Sequence, residues 1–141
     1  MKKILLVLFA VMFMTGCGNN VSEINVESTQ NTIEETLKNM KSVNDESLED
    51  VYGLDLSLME VHVIKQNSDG DFYAIIKTKN KTEVKNDMEK YFDKIQKFNT
   101  NYSPERLQIL DNRVEKEIGD YLIYIVSENA DAVYDNILND L

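Results

Sequence analysis

Two stretches of this chain pass from strand-like to helix-like apolar spacing in the same order, and that pattern limits the folds open to it. In the first, Met59, Val61 and Val63 alternate with Glu60 and His62, the period of a half-buried strand. Asn67-Ser68-Asp69-Gly70 supplies turn residues, and the more apolar run from Phe72 to Lys77 completes a hairpin. A helix is expected from about Lys81 to Phe98, with Val84, Met88, Tyr91, Ile95 and Phe98 on one stripe. In the second stretch, Arg113 to Ile118 and Tyr121 to Ser127 form a hairpin that turns at Gly119-Asp120, and a helix follows from about Ala130 to Asn139. A shift of 49 residues lays Gly70-Asp71 on Gly119-Asp120, Phe72 on Tyr121, Ile76 on Ile125, Thr78 on Ser127, Asn80 on Asn129, Val84 on Val133 and Met88 on Ile137.

The expected fold is therefore α+β. N-terminal helices precede two ββα units, at about residues 59–98 and 113–139, which form a four-stranded, mostly antiparallel sheet with helices packed on one face. Upstream, Thr32-Ile33-Glu34-Glu35 fits a capping box and predicts a helix from Thr32, with Ile33, Leu37 and Met40 on its apolar side. A second short helix is expected over Asp45–Tyr52, with Leu48, Val51 and Tyr52 inward and Gly53 as its stop. Ser103-Pro104-Glu105 opens another, with proline at the first helical position. Residues 17–31 are polar and without sustained period, and are expected to be a tether ahead of a single domain at 32–141.

The N-terminus has a different character. Lys2 and Lys3 precede an apolar run from Ile4 to Met14, and the chain then reads Met14-Thr15-Gly16-Cys17. A basic start, a short apolar core and small residues at its end are the parts of a secretory signal. A run of this length is too short to span a bilayer, which takes about 20 apolar residues. Cys17 is the only cysteine in the chain. Thr15-Gly16-Cys17 resembles the lipobox of bacterial lipoproteins, with Met14 where leucine is commoner. That resemblance implies cleavage after Gly16, lipidation of Cys17 and anchorage on the extracytoplasmic face of the cell membrane. Two or more acyl chains hold a protein stably at a bilayer, each buried CH₂ contributing about 0.8 kcal/mol. A domain with no further cysteine then has no disulfide and depends on packing.

The formal charge of −10 includes Lys2 and Lys3, so residues 17–141 carry −12. Such a balance argues against nucleic acid as a partner, which requires a basic patch. It also argues against electrostatic attraction to anionic lipid.

The order Tyr52-Gly53-Leu54-Asp55, Ala74-Ile75-Ile76-Lys77, a long helix, Tyr102-Ser103-Pro104-Glu105 and Gly119-Asp120-Tyr121-Leu122-Ile123 resembles the DUF4358 family of bacterial, Firmicutes-type lipoproteins. The resemblance runs from about Leu37 to the end. Family members often have a glutamate just before the Ala-x-x-Lys strand; here only Asp71 is near, and no role is carried over to it. The resemblance implies the localisation and the fold, and no chemistry.

Motifs for catalysis are sparse. Asn67-Ser68-Asp69-Gly70-Asp71 has calcium-loop residue types, but the register would place Lys65 at the first ligand position and Ile76 at the last, so a hairpin turn is the better reading. His62 is the only histidine; zinc sites usually need two or more His or Cys ligands, and a triad needs a nucleophile beside it. Asp45, Glu46, Glu49 and Asp50 read as a solvated helix face before they read as a glycosidase pair. No metal or cofactor is expected. Alternation places Phe72, Ala74 and Ile76 with Tyr121, Ile123 and Ile125 on one sheet face. The other then carries Tyr73, Ile75, Leu122, Tyr124 and Val126 with His62 and Ile64. That second face is covered by the N-terminal helices or is a recognition surface, in which case Tyr73, Tyr124, His62 and Leu122 are its candidate residues. The expected activity is that of a non-catalytic, membrane-anchored binding or accessory domain for an envelope protein or small ligand. The alternative is an acid-dependent hydrolase of cell-envelope material.

Overall fold

The computed structural model describes residues 23–98 and 103–141; the signal segment and Cys17 lie outside them. Helix α1 (Val26–Thr36) is followed by strand β1 (Lys41–Ser42), a π-helical turn (Ser47–Val51) and a 3₁₀ turn (Leu56–Leu58). The first ββα unit is β2 (Val61–Gln66), β3 (Phe72–Lys77) and α2 (Lys81–Phe98). Helix α3 (Pro104–Asp111) leads into the second, β4 (Val114–Ile118), β5 (Tyr121–Val126) and α4 (Ala130–Asn139). The sheet order is β1-β2-β3-β5-β4, antiparallel at every junction. The four expected strands are thus joined by a fifth, two residues long, at the β2 edge.

Local chemistry accounts for the boundaries. Asn25, and not Thr32, caps α1: its side chain accepts from the Ser28 N–H at 2.9 Å. The helix therefore starts six residues before the capping-box reading, and Ile24 and Thr29, expected in the tether, are buried. Thr32 lies inside the helix, where its hydroxyl donates to Asp140, just past the C-terminal end of α4, at 2.5 Å. Ser103 caps α3, with Pro104 at the first turn as expected. Both hairpins turn through a glycine of positive φ, Gly70 at +87° and Gly119 at +56°, where an L side chain is strained. Beyond each second strand a buried hydroxyl closes the turn into the helix. Thr78 accepts from the Asn80 N–H at 2.9 Å, and Ser127 accepts from that of Asn129 at 3.2 Å. These are equivalent positions under the 49-residue shift.

Helices cover both faces of the sheet, as cover of the second face by the N-terminal segment requires and packing on one face alone does not. One core joins Ile64, Phe72, Ala74, Ile76, Leu122, Tyr124 and Val126 to Val84, Met88, Tyr91 and Phe92 of α2, with Leu48, Leu54, Met59 and Leu110. The other joins Tyr73, Ile75, Tyr121, Ile123 and Ile125 to Ile33 of α1, to Leu37 just past its end, and to Ala130, Val133 and Ile137 of α4. Register explains the arrangement. Phe72 pairs with Val126 and Ala74 with Tyr124, so even-numbered residues of β3 and β5 share a face. An offset of 49 is odd, and side chains alternate with period two, so residues equivalent in the repeat fall on opposite faces. Phe72 meets α2, whereas Tyr121 meets α4. The strands are related as a two-fold axis normal to the sheet would relate them, yet their helices lie on opposite sides. The two units consequently have opposite hand. A copied unit keeps its hand, so the correspondence is one of local pattern, not of superposable halves.

Candidate functional site

The four residues singled out from alternation do not form one surface. Tyr73 and Tyr124 face opposite sides of the sheet, and Tyr73, Leu122 and Tyr124 are all buried. The grouping of Tyr73 with Tyr124 is corrected by the register above. His62 pairs with Ile76 and lies on the Tyr124 side, partly exposed, with Nε2 3.0 Å from Oδ1 of Asp45. Of the acids Asp45, Glu46, Glu49 and Asp50, all exposed, Asp45 alone is tied to the sheet in this way.

On the side of α1, a polar cluster crosses the core boundary. Glu34 Oε1 accepts from the Tyr73 hydroxyl at 2.6 Å and from the Lys65 ammonium at 2.7 Å. Partial burial acts to raise the Glu34 pKa, but the hydrogen bonds from Lys65 and Tyr73 outweigh it and hold the carboxyl below its usual value. Burial first, and then the adjacent carboxylate, push the Tyr73 phenol far up, so it remains a donor. One carboxylate thereby ties α1 to both β2 and β3. The arrangement is suited to fastening a helix; its phenol is neutral and hydrogen-bonded, not poised as a nucleophile or base.

On the side of α2 the cluster is aromatic. Phe72, Tyr91, Phe92 and Tyr124 form successive contacts, with Phe72 to Phe92 edge-on at 5.4 Å and Phe92 to Tyr124 at 5.8 Å. Burial, then the nearby Glu115 and Glu89, raise the Tyr124 phenol. Arg113 caps the stack, its guanidinium carbon 4.4 Å from the Phe92 ring centre. The same guanidinium donates to Glu89 at 2.9 and 3.1 Å, to Glu115 at 2.5 Å and to the Leu110 carbonyl at 3.1 Å. The sequence reading missed Arg113 and Glu34. Each is a charged residue next to a single apolar core position, Ile33 and Val114, which is a weak advance signal of a side chain held at a core boundary.

Two open clefts lie at the end of the sheet marked by the β2–β3 turn. One, of about 640 Å³, runs between α3 and the start of α4 and is lined by Gln108, Ile109, Asn112, Arg113, Ser127 and Glu128, among others. The other, of about 620 Å³, is bounded by Asn39, Lys41, Ser42, Gln66, Asn67 and Ser68. Both are open to solvent. The first offers acids and amides to a ligand, but its arginine is already saturated by Glu89 and Glu115. Among the described residues no group of three or more His, Cys, Asp or Glu side chains is placed to hold a metal. Nor is any described helix long and apolar enough to cross a membrane.

No curated protein and no solved structure matches the chain. A family model does, over residues 31–127, from within α1 to the residue after β5, which leaves α4 beyond the match. The chain belongs to DUF4358, a family described as a domain of unknown function.

Proposed function

We propose that this protein is an extracytoplasmic lipoprotein, a non-catalytic binding or accessory domain held to the outer side of the cell membrane by lipidated Cys17. The observation that carries the reading is the sequence ahead of the domain. Lys2-Lys3, the apolar run Ile4–Met14 and Thr15-Gly16-Cys17 stand shortly before a domain in which Ile24 is the first buried residue among those described. Support for a binding role comes from the commitment of the inward polar groups to structure: Glu34 to Tyr73 and Lys65, and Arg113 to Glu89 and Glu115. What the fold leaves available is surface, including two open clefts at one end. The partner is an envelope protein or a small ligand, and nucleic acid is disfavoured by the acidic charge.

Metabolic labelling with an alkyne fatty acid, followed by membrane fractionation, tests the anchor. The wild-type protein is expected to take the label and sediment with membranes, and Cys17→Ala to lose both properties. An unlabelled wild-type protein, or a Cys17→Ala variant still acylated, overturns the lipoprotein reading. Crosslinking in the native cell, with photoreactive groups at Gln108 and Asn112 of the larger cleft, then identifies what the domain holds.

A further inference from the structure

We propose that the end of the sheet where Glu23 is fixed is the membrane-facing pole, and that the pole carrying the two clefts faces away from the bilayer; this rests on the lipoprotein reading. The argument begins with chain length. Cys17 and Glu23 are six residues apart, and six fully extended residues reach at most about 22 Å. Glu23 is pinned to the domain, its carboxylate accepting from Lys77 at 2.8 Å, with the Tyr121 hydroxyl at 3.4 Å. Ile24 beside it is buried. The tether thus leaves the domain beside the last residue of β3 and the first of β5, so this pole meets the bilayer with the tether relaxed, whereas the far pole, about 20 Å away, meets it only with the tether stretched to nearly its full length.

The composition of this pole fits a lipid surface. Lys77, Lys79, Lys81 and Lys85 gather here, ion-paired with Glu23, Asp120 and Glu117. Those four lysines offset part of the negative charge that Glu23, Asp120, Glu117, Glu60, Glu83, Glu27 and Asp140 bring to this end of a strongly acidic protein. Lysines gathered at the tethered end lessen the repulsion that a strongly acidic surface meets at anionic headgroups. Val61 on β2 and Leu138 and Leu141 at the end of α4 are exposed at this same end, apolar side chains suited to the headgroup boundary. At the opposite end of the six-residue strands, about 20 Å further out, lie the Asn67–Asp71 turn, the start of α3 and both clefts.

The sole cysteine is consumed by the anchor, so single added cysteines can be labelled selectively. Nitroxides are placed at Glu60→Cys and Thr82→Cys on the near pole, and at Ser68→Cys and Glu105→Cys on the far one; all four positions are exposed. Full-length lipidated protein is reconstituted in phosphatidylglycerol–phosphatidylethanolamine vesicles containing a nickel-chelating lipid, and relaxation of each nitroxide by the surface nickel is measured. The expected result is several-fold stronger relaxation at both near positions than at both far ones. Equal relaxation at the two poles, or the reverse order, overturns the orientation. Mass spectrometry of the Cys17 peptide separates the two claims. An acylated peptide with equal relaxation sinks the orientation alone, and an unmodified peptide sinks the anchor and the orientation together.

Discussion

The two faces of the sheet bury alternate residues of the same two central strands but are built differently. The face under α2 is aromatic, with rings of Phe72, Tyr91, Phe92 and Tyr124 in contact and a single arginine sealing the rim. The face under α1 and α4 is aliphatic, with Ile33, Ile75, Ile123, Val133 and Ile137 at its centre. There the charged cluster reaches the core through the hydroxyl of the fully buried Tyr73, which donates to Glu34. The difference follows from what covers each face. The α2 side is covered chiefly by one 18-residue helix that supplies Tyr91 and Phe92, while α1 and α4 are short and pack against each other on the other face. Short helices gain little stability from their own backbone and depend on tertiary fastening. Glu34 fastens α1 to the sheet, and Thr32 fastens it to α4.

The largest effect expected comes from removing a ring on each face. Tyr73→Ala and Tyr124→Ala should each cost about 3–5 kcal/mol through the cavity left behind. The two side chains point to opposite faces and share no core, so the costs should nearly add. Together they approach the 5–15 kcal/mol that holds a typical domain folded. The double variant should therefore lose its cooperative thermal transition and its near-ultraviolet circular dichroism. A double variant that melts like either single one would show that the two faces are not independent cores.

How much of this was legible beforehand depends on which signals are local. Strand, turn and helix residues in each ββα unit declared themselves through period and glycine, and both hairpins form where those signals place them. The face assignment failed because register between β3 and β5 is a non-local property. Treating Phe72 and Tyr121 as equivalent was right for the pattern, and it inverted one strand in space. Val51, expected inward, is 47% exposed, because the turn around it is π-helical and the Tyr52 N–H reaches back to the Ser47 carbonyl at 3.1 Å. An expanded turn shifts each following side chain away from its 3.6-residue position. Strand β1, two residues long, is too short to display any period. Its pairing with Lys65 and Gln66 is set by the sheet edge it meets. The candidate residues fell with the register, whereas the ties of Glu34 and Arg113 needed the tertiary structure to be seen.

A smaller effect probes the rim of the aromatic face. Arg113→Lys keeps the charge but loses the planar fork that serves Glu89, Glu115, the Leu110 carbonyl and the Phe92 ring together. A loss of about 1–2 kcal/mol in chemical denaturation is expected, the scale of one or two charge-assisted bonds at a partly exposed site. Arg113→Met should be no worse than Arg113→Lys if stacking on Phe92 dominates, and clearly worse if the carboxylates do. The pair of variants sorts the two contributions.

The smallest effect is the most specific to the other face. Tyr73→Phe removes only the hydroxyl, leaving the ring in place and Glu34 with Lys65 as its remaining donor. The expected cost near neutral pH is about 1 kcal/mol, the net value of one hydrogen bond. Its pH dependence carries the sign. Glu34 has a folded-state pKa held below its ordinary 4.5. Its contribution is therefore fully present above that ordinary value and is lost as pH falls through the depressed folded one. The wild-type protein should lose stability over this acid range more steeply than Glu34→Gln, which has no proton to take up there. Because Tyr73 helps depress the Glu34 pKa, Tyr73→Phe should have an acid slope between the two. Urea midpoints measured from neutral pH down through the carboxylate range would show three curves converging at the acid end. Parallel curves would mean that Glu34 is an ordinary surface carboxylate and that α1 is held by its apolar residues alone.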